Sequence, residues 1–394
     1  MNYGIIKTRG DRMKTIMIIG AGASGLACAS ALVQQDVHKE MNIMIVEQFP
    51  KVARKLLATG NGRCNLSNKN IAIESYNTNH PMIETILSSF QAPAYFSSLG
   101  LLTKYEGNLL YPFSNQAASV KQVLLDAICP HVTMITNCKV LGIEKRQDDY
   151  HIHTNQEDYI VDYVVCALGS PAYHLSGEDN VHILETLGII TVPFVPSLVA
   201  VHTQPVYPDM KGVRVKAKVT LYHKGQRIDT KEGEVLFTET GLSGICIMQI
   251  SRWLLQFPNA AFIELDLFSQ YTTKEYKQWM QTRKQQFGGE YLEGIFPQKM
   301  AQVMRQNKLH PKRMRFKVVG TNDETKAQVM HGGVSLQEVT DTLESTRYAN
   351  LYVTGEALDV DGDCGGFNLH FAFASGIWVA KAIKTKENEY VTNR

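Results

Sequence analysis

Short apolar runs alternate with stretches of helical period along the first 170 residues. Residues 16–19 (Ile-Met-Ile-Ile) form a continuous apolar run, the pattern of a strand buried on both faces. Residues 26–33, rich in Leu, Ala and Val, predict the helix that follows, and residues 43–46 (Ile-Met-Ile-Val) predict a second buried strand. A short helical pattern over 51–59 runs into a glycine-punctuated loop at 60–65. Residues 81–129 read as mostly helical, broken by a hairpin at 105–112, and 132–136 as a strand. Three short strands, 139–144, 150–154 and 159–168, then form a meander that ends on Ala167-Leu168-Gly169.

Pro193, Pro196, Pro205 and Pro208 mark a change of texture. Beyond them, 213–219 and 234–237 alternate as strands, 273–306 is helical, and 316–319 returns as a strand. The first pattern then resumes, with an apolar strand at 351–353 and a final helix over 369–383. The expected fold class is therefore α/β: a doubly wound dinucleotide-binding domain from residues 1–190 and 331–394, interrupted at 191–330. The interruption reads as a β-rich α+β domain with a small helical part at about 270–312, and is expected to form a substrate lid.

The junction of the first strand and helix carries Gly20-Ala21-Gly22-Ala23-Ser24-Gly25. At such a junction Gly20 makes the tight turn, Gly22 admits a pyrophosphate to the backbone, and Gly25 lets helix and strand pack closely. The helix N-terminus offers unpaired N–H groups and a positive dipole end. Glu47, with Gln48 after it, ends the second strand, where an acid accepts hydrogen bonds from a ribose diol. In a doubly wound sheet, residues 20–25 with 47, 54–65 and 355–369 converge at the carboxyl ends of the strands.

Bulk composition narrows the class. The chain has 394 residues, 44% hydrophobic and 20% charged, which suits a globular enzyme of two or three domains. Its formal charge of +2 gives no electrostatic case for nucleic acid or an anionic membrane. Seven scattered cysteines without a C-x-x-C pair suit reduced thiols, so a cytoplasmic location is expected. Basic residues before the first strand loosely imitate a signal peptide, but glycines sit where its apolar region would be; residues 1–12 are expected to be a floppy extension. No Ser/His/Asp arrangement, H-E-x-x-H or cluster of metal ligands is present, so hydrolase and metal chemistry are not expected.

Residues 55–68, Lys-Leu-Leu-Ala-Thr-Gly-Asn-Gly-Arg-Cys-Asn-Leu-Ser-Asn, resemble the signature of bacterial FAD-dependent oxidoreductases of the aminoacetone oxidase and bile-acid reductase type. Residues 355–369, Gly-Glu-Ala-Leu-Asp-Val-Asp-Gly-Asp-Cys-Gly-Gly-Phe-Asn-Leu, are similar to their C-terminal motif, and 237–244 and 332–335 to middle motifs. The resemblance covers nearly all of 14–384 and implies a glutathione-reductase-like FAD domain. It places Gly20 to Gly25 and Glu47 on the ADP half, Arg54 and Lys55 toward the pyrophosphate or flavin, and Asn61, Gly62, Arg63, Cys64 and Asn65 on the isoalloxazine side. It further implies that Val140 meets the adenine through its backbone and that Ala167 and Gly169 form a cofactor turn. Gly355 and Glu356 would serve the ribityl or pyrophosphate region, and Gly366, Phe367, Asn368 and Leu369 would aim helix N–H groups at the flavin. Four departures from the family pattern are Ala53 for Gly, Glu239 for His, Ile245 for Pro and His370 for Gln.

The activity so implied is FAD-dependent hydride transfer through flavin N5. No second G-x-G-x-x-G is present, so NAD(P)H is expected to bind only transiently while a small unsaturated substrate is reduced. The alternatives are an amine oxidase of the aminoacetone type using oxygen and, in another class, an RNA-modifying flavoprotein, whose mark would be a broad basic surface. A small-molecule substrate, without nucleic acid or membrane, is the expected partner. His331 and His370 are candidate general acids, Glu239 a candidate for orienting a cationic substrate such as an amine, Tyr173 a further candidate, and Cys64 with Cys364 a redox dithiol reading set against ordinary buried cysteines.

Overall fold

The computed structural model describes residues 13–172, 180–257 and 261–392. Residues 1–12 and Tyr173 lie outside the described residues. The chain divides into two compact units, one from residues 1–194 and 330–394, the other from 195–329.

In the first unit five parallel strands form one sheet in the order Leu351–Val353, Tyr163–Cys166, Thr15–Ile19, Asn42–Val46, Thr133–Ile135. The strand Thr15–Ile19, which leads into the glycine turn, lies at the centre, and the order on its two sides makes a topological switch point at its carboxyl end. Its residues Ile16, Met17 and Ile18 are fully buried, which accounts for a run with no polar alternation. The helix Ala23–Gln34 packs on the long helix Phe367–Thr392 and on Ala117–Ile128. An added Cβ at Gly376 would lie 2.2 Å from the Ser24 carbonyl oxygen, so only glycine permits this helix contact.

The hairpin expected at 105–112 is Thr103–Glu106 paired with Leu109–Pro112, and helices Pro81–Ser89, Ala92–Ser98 and Ala117–Ile128 flank it. The run 159–168 is corrected: it is two strands in two different sheets. Tyr159–Val161 closes a three-stranded meander with Val140–Lys145 and Tyr150–Thr154, while Tyr163–Cys166 enters the central sheet. Asp162 makes the break, its carboxylate accepting from the Thr15 N–H at 2.8 Å.

The second unit has its own apolar core. Six strands close a barrel in the order Val201–Gln204, Gly241–Ser243, Gln226–Phe237, Arg214–His223, Ala261–Asp266, Met314–Thr321. Val219, Leu221, Val235, Ile263, Leu265 and Phe316 fill it. The helical stretch over 273–306 is two helices, Thr273–Phe287 and Gln298–Gln306, the first opened by a capping box of Thr272 and Glu275. Ile245 is the first residue of the helix Ile245–Ser251, a position that tolerates proline because its N–H has no helical partner. No helix among the described residues is long and apolar enough to cross a membrane.

Candidate functional site

The three glycines of the first junction have different surroundings. Gly20 has φ +109°, and a Cβ there would lie 2.3 Å from the Ala167 carbonyl oxygen; one at Gly25 would lie 2.0 Å from the Gly20 carbonyl oxygen. Around Gly22 a Cβ would meet nothing within 4 Å. Gly20 and Gly25 are thus required by packing, while Gly22 borders open space at the N-terminus of Ala23–Gln34, a terminus without a side-chain cap. Those first N–H groups and the helix dipole favour a phosphate.

Glu47 is built into this turn. Its carboxylate accepts from the backbone N–H of Ala21 at 2.9 Å and of Phe49 at 3.0 Å. It therefore holds the glycine turn in shape, a role the sequence did not reveal, and retains acceptor lone pairs beyond these two bonds. Gln48 follows it, half-buried. Ala53 donates its N–H to the Ala21 carbonyl and has φ +58°, a left-handed conformation that costs an L-residue about 1 kcal/mol or more. A glycine adopts it freely, which accounts for glycine as the usual residue there.

Arg54 follows immediately, its guanidinium 3.8 Å above the Phe49 ring. Its Nη1 is buried with no hydrogen-bond partner, and so is Oδ1 of Asn65. Buried polar atoms are rarely left so, because each costs about 1–3 kcal/mol. A cation and an amide oxygen in need of partners, together with an uncapped helix and a glycine with free space, fit a dinucleotide bearing a diphosphate and a ring with N–H groups. FAD has both.

Lys55 and Glu356 form an ion pair, and Ser170 Oγ lies 3.3 Å from Lys55 Nζ and donates to Glu356 Oε2 at 3.0 Å. This joins two motifs 301 residues apart, and Ser170, next to Gly169 (φ +71°), is a member the sequence reasoning missed. Ala167 donates its N–H to the Ile19 carbonyl, holding its turn against Gly20. Gly355, at φ +68°, is pinned by the Ser375 hydroxyl at 3.0 Å.

Other candidates are placed less directly. Arg63 turns to Glu106 at 2.6 Å, Asn115 at 2.8 Å and the Tyr111 ring, bracing the 103–112 hairpin. Asn61 and Gly62 are exposed. Val140 is buried, paired with Thr154 across the meander. A Cβ at Gly366 would lie 2.5 Å from the Ser67 carbonyl, so the start of the final helix abuts the 65–68 segment. Asn368 spends its amide on the backbone of Gly362, Phe367 accepts from the Tyr76 hydroxyl, and Leu369 packs on the core. Cys64 is fully buried, and burial pushes its thiol up to about 12, so it stays a protonated, inert thiol rather than half of a redox pair.

The three catalytic candidates, Glu239, His331 and His370, differ sharply. Glu239 is exposed and paired with Lys211, which lowers its pKa. His331 directs Nδ1 at the Asp361 carboxylate, 2.9 Å away, with Asn77 and Asp359 beside it; burial raises the Asp359 pKa. His370 is corrected from a candidate acid to a structural residue. It is buried, donates from Nε2 to the Leu87 carbonyl at 3.1 Å and accepts at Nδ1 from the Ser67 hydroxyl at 2.8 Å. Burial lowers its pKa to about 4, so it is neutral at working pH. Ser67 and His370 also line a cavity of about 520 Å³ to which the glycine turn, Glu47 and Lys55 contribute nothing.

The His370 pair sets a pH dependence. Its neutral form is bonded in the fold, whereas the unfolded chain protonates it near 6.5. Stability from this group is therefore complete above 6.5 and is lost as pH falls toward about 4, by about 3 kcal/mol. His370→Gln, the usual family residue, is expected to flatten the urea-midpoint profile across that window. An equally steep profile in the variant would assign the effect elsewhere.

Comparison with known proteins completes the picture. The family profile described as HI0933-like protein Rossmann domain matches residues 14–382. The chain belongs to this family. It is 34% identical to a 3-dehydro-bile acid delta(4,6)-reductase of Clostridium scindens, over 94% of this chain and 99% of that protein. It is 24% identical to a ribosomal RNA dihydrouridine synthase of Haemophilus influenzae, over 93% and 98% of the two chains. A ribosomal RNA dihydrouridine synthase of Escherichia coli is 25% identical, over 91% and 95%. The motifs at 55–68 and 355–369 thus lie within the matched span of this HI0933-like chain, on the two sides of the Lys55–Glu356 pair.

Proposed function

We propose that this oxidoreductase holds FAD at the carboxyl end of its parallel sheet and reduces a carbon–carbon double bond conjugated to a carbonyl group. The observations that carry the cofactor are the open space at Gly22 and the buried, unpartnered Arg54 Nη1 and Asn65 Oδ1. Bound FAD supplies hydride transfer. The chain supplies placement, with the Ala23–Gln34 terminus and Arg54 for the diphosphate, Glu47 for the ribose side, and the Lys55–Ser170–Glu356 group between the two long motifs. With NAD(P)H as the donor, the net reaction converts NAD(P)H, a proton and the alkene to NAD(P)+ and the saturated carbonyl compound. A 3-oxo-4,6-diene steroid is such a substrate, and the 34% identity to a delta(4,6)-reductase supports this reading.

A second reading keeps the chemistry and changes the substrate. The C5–C6 double bond of uridine is also conjugated to a carbonyl, and two relatives are ribosomal RNA dihydrouridine synthases. One experiment tests both. The purified protein is mixed anaerobically with NADH or NADPH while flavin absorbance is followed. A 3-oxo-4,6-diene steroid or an unmodified ribosomal RNA transcript is then added, and product mass is measured. Bleaching followed by a gain of two hydrogens in either substrate is expected. Absence of flavin, or oxygen consumption with aminoacetone and no alkene reduction, overturns the proposal.

A further inference from the structure

The near-zero charge of the whole chain hides two units of opposite sign. Residues 195–329 hold 20 Lys and Arg against 12 Asp and Glu, a formal +8; the rest of the chain, with 20 against 26, carries −6. The exclusion of nucleic acid from the total of +2 therefore fails for the inserted unit taken by itself.

The six barrel strands hold seven Lys and Arg against five Asp and Glu, and five of the seven lie on Arg214–His223 and Met314–Thr321. Along Arg214–His223 the inward residues are Ala217, Val219 and Leu221, and Arg214, Lys216 and Lys218 point outward. Along Met314–Thr321 the inward residues are Met314, Phe316 and Val318, and Arg315 and Lys317, with Arg313 just before them, are exposed. Only the strand Ala261–Asp266 separates the two basic rows, with Lys218 opposite Asp266 and Arg315 opposite Glu264. Those two acids are already engaged, Asp266 with Lys312 at 2.9 Å and Glu264 with Arg315 at 2.7 Å; Glu234, one strand further, pairs with Arg214. Glu234 also lies opposite Lys216 and Glu232 opposite Lys218, so Arg214, Lys216, Lys218, Arg313, Arg315 and Lys317 face four acids, which leaves a formal +2.

The same face carries aromatic surface. The Tyr222 and Phe262 rings stack at 4.8 Å and 8°, both half-buried, and the Arg315 guanidinium lies 5.1 Å above Phe262. Cations in rows for phosphates, with the edges of half-buried rings and an exposed guanidinium for bases, are a combination that suits single-stranded nucleic acid.

We propose that this barrel face binds RNA, holding the phosphates of a single-stranded or looped segment between the rows at Arg214–Lys218 and Arg313–Lys317. It rests on the second of the two readings above and names the surface by which that substrate is held. RNA is favoured over an anionic membrane because the face is a curved sheet with stacking planes and lacks a broad apolar patch to insert.

The test uses the flavin-loaded full chain and a fluorescein-labelled, single-stranded RNA of about 20 nucleotides, followed by anisotropy from about 50 to about 200 mM KCl. Lys216→Glu with Lys317→Glu is expected to weaken binding at least tenfold and to lower the salt slope by about one to two units. Lys216→Gln with Lys317→Gln is expected to fall between, guarding against a misfolded reversal, and flavin content should be unchanged in both. Lys39→Glu, on the other unit, is expected to leave binding intact. No binding at about 50 mM KCl, an unchanged slope in both double variants, or tighter binding to phosphatidylserine vesicles than to RNA overturns the proposal. Because binding is read without turnover, its failure is distinguishable from failure of the reductase reading, which is scored by product mass.

Discussion

Gly22→Val is expected to yield a folded protein that purifies without flavin. A Cβ at Gly22 meets nothing within 4 Å in the chain itself, so the fold does not resist a side chain there. The valine methyl groups would instead occupy the space beside the uncapped terminus of Ala23–Gln34, where a diphosphate must reach backbone N–H groups. Losing several charge-assisted hydrogen bonds at about 1.5–3 kcal/mol each leaves an affinity lower by well over a hundredfold. The measurement is the flavin-to-protein absorbance ratio, with a thermal melt to show the fold intact. A fully loaded variant would sink the assignment of this turn to the cofactor.

The neighbouring glycine should behave in the opposite way. Gly25→Ala adds one carbon 2.0 Å from the Gly20 carbonyl oxygen and 3.3 Å from the Ala167 Cβ, with backbone on the near side. Nothing flexible can yield there, so helix and strand must separate. A loss of at least about 3 kcal/mol is expected, toward the upper end of overpacking costs. This loss should be present in protein stripped of cofactor, read as a lower urea midpoint. A stripped Gly25→Ala protein as stable as the parent would mean that helix and strand are not in the contact described. Together the two substitutions separate a glycine kept for a ligand from one kept for packing.

Much of the first unit was legible because its strands are short apolar runs buried on both faces, and such runs stand out against polar loops. The junction at 20–25, the acid at 47 and the hairpin at 103–112 have local signatures, set by residues near one another in the chain. The barrel was not legible as a barrel. Val201–Gln204 and Gly241–Ser243 have four and three residues, too few to display a period of two, and closure depends on pairing between strands distant in sequence. The run through Tyr159 and Cys166 looked continuous because Asp162, the residue that divides it, is held by Thr15, far away in the chain. Polar partners were hidden for the same reason. Ser170 joins Lys55 to Glu356, and Ser67 and Leu87 hold the two ring nitrogens of His370, across separations of 115 to 303 residues. The charge of the inserted unit was present in the sequence throughout, but it is visible only when the sum is taken between the unit's own boundaries.

The contact of Gly376 with Ser24 has a consequence for how the chain matures on the ribosome. The helix that carries the glycine turn is covered on one side by Phe367–Thr392, and Leu351–Val353 supplies an edge of its sheet. Neither exists when the glycine turn leaves the exit tunnel, whereas the barrel is a continuous stretch of chain with a core of its own. Domains fold as units during synthesis. The inserted unit therefore completes first, and the segment made before it waits, with the Ser24–Cys28 side of its helix uncovered, until the final helix arrives. The nascent chain is most vulnerable to aggregation in that interval, and the cofactor can be captured only when it ends.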